Sequence, residues 1–121
     1  MKLDELKVYQ ISLEVGEQVW SQVNDWPYFE KDTIGKQLVR SADSIAANIS
    51  EGYGRFHYKE LRQYCYIARG SLFETKTWIQ KASDRGLINT SASSQLQQKL
   101  DELGIKLNNF IRTIGNKGSN K

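Results

Sequence analysis

Apolar residues return at three- and four-residue steps along nearly the whole chain, a rhythm that predicts four amphipathic helices. From Leu3 to about Asn24 the stripe runs Leu6, Tyr9, Leu13, Gly16, Trp20 and Val23, widened by Val8, Val15 and Val19. Asn24-Asp25-Trp26-Pro27 interrupts it, because proline biases Trp26 away from the α region. The clustered aromatics Trp26, Tyr28 and Phe29 are expected to cap one end of the core. A second helix is expected to begin at Asp32 or Thr33, either residue serving as its cap, and to run to about Glu51. Its stripe is Ile34, Leu38, Ala42, Ile45 and Ile49, and the small residues Ser41, Ala46 and Ala47 between them let another backbone come close. The corner Gly52–His57 follows, its two glycines free to break the helix or to take positive φ.

A third helix, roughly His57 to Asp84, carries Leu61, Cys65, Ala68, Leu72, Thr75, Ile79 and Ala82 in alternating steps of four and three. This is an a/d-like seam with small members. Tyr58, Tyr64, Tyr66, Phe73 and Trp78 flank it, so burial on more than one face is expected, in a second core layer or a subunit interface. Gly86 suits the end of that helix, and Asn89–Ser94 offers caps for a fourth built on Leu96, Leu100, Leu103, Leu107, Phe110 and Ile114. Four helices with short connections predict an all-α fold, an antiparallel up-down-up-down four-helix bundle. The bundle is expected to fill residues 1–115 as a single domain, with a flexible basic tail over 116–121. Alternating runs joined by turn dipeptides are missing, which argues against a β-rich fold.

Composition sharpens this picture in three places. Mean hydropathy is -0.59, and no run approaches the roughly 20 apolar residues of a membrane span. The opening MKLDELKVYQ lacks the apolar core of a signal peptide, so the expected location is the cytoplasm. A single cysteine, Cys65, rules out an intramolecular disulfide and fits a small buried hydrophobe. The net charge of +3 is unevenly spread: residues 1–30 hold two lysines against six acids, while the remainder holds 15 basic and 8 acidic residues. Such asymmetry suits a nucleic-acid surface, an acidic partner, or complementary faces between subunits.

The chemistry of catalysis is hard to find. The spacings GxGxxG and GxxxxGK are absent, and no Glu-x-x-His set accompanies the one histidine, His57. No catalytic, cofactor-binding or metal-binding residue is predicted, and the chain reads as a non-enzyme. Two groups of polar residues remain. Ser44, Asn48, Glu51, Arg69 and Glu74 suggest a structural polar network joining the second and third helices. Arg69 would pair there with Glu51 or Glu74, a contact costing on the order of 3–5 kcal/mol to break if buried. Arg55, Lys59, Arg62, Lys76 and Lys81 are candidate nucleic-acid contacts, provided they converge on one exposed face. A deep pocket around His57 and Trp26 would instead point to a small ligand.

Trp26-Pro27 with Glu30, the stretch QLVRSADSIAANISEGYGR from Gln37 to Arg55, YCYIARGSLFE from Tyr64 to Glu74, and the Leu87-Ile88 turn occur in this order. Together they resemble the bacterial four-helix-bundle family of 23S ribosomal RNA intervening-sequence proteins. Arg40, Ser44, Asn48, Glu51, Gly52, Gly54 and Arg55 match its central motif, and Arg69, Gly70, Ser71 and Glu74 its helix-three motif. Ala46-Ala47 stands where a proline-serine pair is common, which favours a straighter second helix. The resemblance implies a ring-like homopentamer, as in the distantly similar accessory protein of diversity-generating retroelements, which engages nucleic acid. The expectation is a non-enzymatic, self-associating structural or adaptor module linked to RNA. Its alternative is a sequence-nonspecific RNA- or DNA-binding protein using basic surfaces of the oligomer.

Overall fold

A computed structural model describes residues 2–119, with the backbone alone for 117–119. A 3₁₀ turn at Leu3–Glu5 leads into α1, Lys7–Asn24. A single α turn, Tyr28–Glu30, and a π-helical turn, Lys31–Gly35, run directly into α2, Lys36–Tyr53. Then come α3, Tyr58–Asp84, and α4, Thr90–Ser119. Each helix packs on the next and α4 returns to α1, leaving α1 and α3 diagonal to one another. The described residues form no strand, and the architecture is an up-down-up-down four-helix bundle. No helix among them is long and apolar enough to cross a membrane.

The core takes the expected faces of three helices. Leu38, Ala42, Ile45 and Ile49 of α2, Cys65, Ala68, Leu72, Thr75, Ile79 and Ala82 of α3, and Leu96, Leu100, Leu103, Leu107 and Ile114 of α4 are buried. Helix α1 departs from its predicted stripe. Its buried face is Val8, Ile11, Ser12, Val15, Val19 and Val23, whereas Leu13 is 46% and Trp20 57% exposed. Ser12 and Leu13, like Val19 and Trp20, are one step apart, about 100° of helix rotation. The compact valines therefore face inward, and the larger side chains lie over the groove between α1 and α2.

The entry to α2 also differs. Pro27 (φ -60°, ψ 159°) sits at the boundary and helical geometry resumes at Tyr28, ahead of Asp32. Proline needs no amide partner at a helix start, which is why the break is so short. Thr33 is not a cap: its hydroxyl donates back to the Phe29 carbonyl at 2.7 Å. Of the three aromatics only Trp26 enters the core, while Tyr28 and Phe29 remain exposed. Gly35 lets this segment close on α1, since a Cβ there would come within 2.8 Å of Val23 Cγ1.

At the other end of α2, Gly52 serves packing rather than turning. A Cβ at Gly52 would lie 2.7 Å from Tyr64 Cβ and 3.2 Å from Leu61 Cα. Gly54 keeps an ordinary φ of -73°, and the positive φ of the corner belongs to Phe56, at 63°. Helix α3 ends at Gly86 (φ 74°), with the Leu87 amide donating to the Ala82 carbonyl at 2.9 Å. Asn89 caps α4, its Oδ1 accepting from the Ala92 amide at 2.7 Å. The α4 backbone stays helical through Ser119, so residues 116–119 continue the helix instead of opening a tail. Residues 120 and 121 of the predicted tail lie outside the described residues.

Candidate functional site

The α2–α3 contact holds a polar seam, with membership only partly as expected. Asn48 Nδ2 donates to the Ser44 carbonyl at 2.8 Å and to Ser44 Oγ at 2.9 Å. Ser71 reaches across from α3 to Ser44 Oγ at 3.2 Å. Deeper in, Thr75 Oγ1 lies 2.9 Å from Ser41 Oγ and 2.7 Å from the Ser71 carbonyl, and Ser41 donates to the Leu38 carbonyl at 3.1 Å. Every hydroxyl of this seam thus meets a partner, as buried polar groups require. Ser41, Ser71 and Thr75 are the members that sequence reasoning missed. The four-residue spacing of Ser71 and Thr75, on the side of α3 facing α2, was the available signal.

The other three predicted members go elsewhere. Arg69 donates to Asn108 Oδ1 of α4 at 3.0 Å and stacks on Tyr66, its guanidinium 4.8 Å from the ring centre. Glu51 pairs with Arg55 at 3.3 Å on the surface, and Glu74 accepts from the Trp78 indole at 3.0 Å. The predicted Arg69 ion pair does not form. Residues 69 and 74 are five apart, about 140° around the helix, so Arg69 faces α4 while Glu74 faces away from it.

The candidate nucleic-acid contacts do not gather on one face of the chain. Arg55 is engaged by Glu51 and by Tyr64 Oη, at 2.9 Å. Lys76 is paired with Asp101, and Arg62 lies along Gly115 of α4. Lys59 and Lys81 are exposed on α3 with no acid in salt-bridge reach among the described residues, and they stand about 33 Å apart at the helical rise per residue.

Groups that catalysis would recruit are poorly placed. Burial pushes the Cys65 thiol up to about 12, which leaves no thiolate near neutral pH. His57 is exposed at the start of α3 and its side chain caps nothing. It sits just beyond the end of α2, whereas Trp26 precedes the other end, so no pocket joins them. No metal-capable cluster occurs among the described residues.

Among the described residues several apolar stretches stay open to water, two of them on α3 and between α1 and α2. On α3, Tyr66, Ile67 (52% exposed) and Phe73 (60% exposed) surround Gly70, around whose missing Cβ no atom lies within 4 Å. Between α1 and α2 lie two clefts, about 420 and 290 Å³, the first lined by Trp20 and Val39 with the cations Lys31, Lys36 and Arg40, the second by Leu13 and Ala47. Glu17 and Asp43 lie within the second, and Asp43 Oδ1 comes so close to Gly16 that a Cβ there would sit at 2.8 Å. Loss of water around the carboxyl, and then the charge of Glu17, push Asp43 above the usual carboxylate range.

Fold and faces together define a small antiparallel four-helix bundle with a closed apolar interior. Residues 4–109 match the family described as 23S rRNA-intervening sequence protein, and the chain belongs to that family. None of the curated proteins matches it. A solved structure, a protein of unknown function of the S23 ribosomal protein family from Bacteroides thetaiotaomicron VPI-5482, has the same fold at a TM-score of 0.77. Its sequence is 22% identical, and the match covers 86% of this chain and 97% of that one.

Proposed function

We propose that the protein is a non-catalytic module that works by self-association, with α3 supplying a contact face. The observation that carries this reading is the outer surface of α3, where Tyr66, Ile67 and Phe73 remain uncovered around Gly70. Glycine inside an exposed helix costs roughly 1 kcal/mol against alanine. No close approach within the chain accounts for Gly70, as one does for Gly52. A neighbouring backbone seated against α3 would account for it, and it would remove the three apolar side chains from water. A role as a structural or adaptor part of an RNA-linked assembly follows as the use of such an oligomer.

Light scattering across a dilution series tests the reading. The expected result is a mass that is a multiple of 13.9 kDa and falls toward 13.9 kDa on dilution or on Phe73→Glu. A mass of 13.9 kDa at every concentration overturns it.

A further inference from the structure

The larger cleft between α1 and α2 joins an exposed indole to a row of cations. Trp20 (57% exposed) and Val39 give it an apolar wall, and Lys31, Lys36 and Arg40 line the same space of about 420 Å³. That volume suits a small molecule. An irregularity of the backbone aligns the three cations. In the π-helical turn Lys31–Gly35 the Lys36 amide donates to the Lys31 carbonyl, five residues back. The turn takes in one residue more than an α turn, so Lys31, Lys36 and Arg40 fall where i, i+4 and i+8 fall in an α-helix. Were the turn α-helical, Lys31 and Lys36 would stand about 140° apart and Lys31 would leave the cleft. Such π insertions are rare and recur at functional sites.

The charge of the cleft narrows what fits it. The Asp32 carboxylate lies 2.9 Å from Lys36 and holds its pKa above the ordinary range, with Arg40 opposing that shift from nearby. Lys31 and Arg40 have no acid in ion-pair reach among the described residues, and Glu17 and Asp43 line the second cleft. Three cations against Asp32 leave an excess of two positive charges. A phosphate monoester carries about 1.5 to 2 negative charges at pH 7, whereas a carboxylate or an internal phosphodiester carries about one. A flat ring is the apolar partner that an exposed indole stacks on best.

We propose that this cleft binds a phosphate monoester joined to a flat ring, the chemistry of a nucleoside monophosphate, either free or as the 5′-phosphorylated end of an RNA strand. The ring lies on Trp20, and the phosphate lies among Lys31, Lys36 and Arg40. No residue of the outer face of α3 takes part, so the site stands or falls separately from self-association.

Calorimetric titration of the full chain with adenosine monophosphate at low salt tests the site. Binding is expected to saturate and to quench tryptophan emission, and Trp20→Leu should abolish that quenching. Arg40→Gln and Lys31→Gln should each weaken binding about tenfold or more, and adenosine alone or inorganic phosphate alone should bind at least about tenfold more weakly than the monophosphate. The substituted side chains are all exposed, so the fold should persist, and Lys59→Gln, which removes a cation far from the cleft, should leave the affinity unchanged. A short RNA with and without its 5′-phosphate separates the two sources. Tighter binding of the phosphorylated strand than of the mononucleotide assigns the strand end, and weaker binding assigns the free nucleotide. Absence of saturable binding overturns the proposal. So does adenosine or glycerol phosphate binding as tightly as the monophosphate, an equal loss in Lys59→Gln, or equal affinity for the two forms of the strand.

Discussion

The inner and outer faces of α3 obey different rules although they share one backbone. Inward, small residues repeat at steps of four and three, every hydroxyl is satisfied, and α2 comes close enough that Gly52 admits no Cβ. Outward, Ile67 and Phe73 stand in water beside a glycine that no neighbour explains, and Tyr66 is covered only by the Arg69 guanidinium. The inner face is complete within one chain, and the outer face is the one for which a second copy is proposed above. Substitutions on the two faces should therefore separate stability from association.

The largest effect belongs to the interior. Leu72 is buried in the core, and Leu72→Ala should cost about 2–5 kcal/mol in denaturant unfolding. Next comes the helix crossing. Gly52→Ala forces Tyr64 and the Leu61 backbone away, and a loss of about 1–3 kcal/mol should outlast the propensity gained by alanine. An unchanged midpoint would show that the crossing is loose. The same substitution outside should have the opposite sign: Gly70→Ala has open space, so the monomer should gain up to about 1 kcal/mol while association weakens.

Arg69→Ala measures what sequence reasoning misjudged. A buried ion pair would make it one of the most damaging changes in the chain. With Arg69 instead half-buried, bonded to Asn108 and stacked on Tyr66, the loss should stay near about 1 kcal/mol. The helices, their order, and the core faces of α2, α3 and α4 were legible because a stripe of one width on one side dictates burial. The α1 face was not. Two overlapping stripes compete there, and periodicity alone cannot say whether Leu13 and Trp20 are covered by the same chain or another. Polar partners were legible only where helical spacing fixes them, as for Ser44 with Asn48. Partners across helices depend on rotation about each axis, which turned Arg69 to α4 and brought Thr75 to Ser41. The corner misled for a similar reason: Gly52 answers to a neighbouring helix, and the strained backbone sits on Phe56, 92% exposed.

The smallest effect belongs to Asp43, at the contact between α1 and α2. Its folded-state pKa is raised by partial loss of water and by Glu17, so ionisation weighs against the folded monomer. The corresponding stability is fully present below the unfolded pKa of about 3.9, where the carboxyl is protonated in both states. It is lost as pH rises through the raised folded value. Asp43→Asn should raise the unfolding midpoint of the monomer slightly at pH 7. That gain should shrink as the pH falls and vanish below the ordinary carboxylate range. A midpoint that falls in the monomer at pH 7 would mean that the carboxylate helps hold α1 to α2.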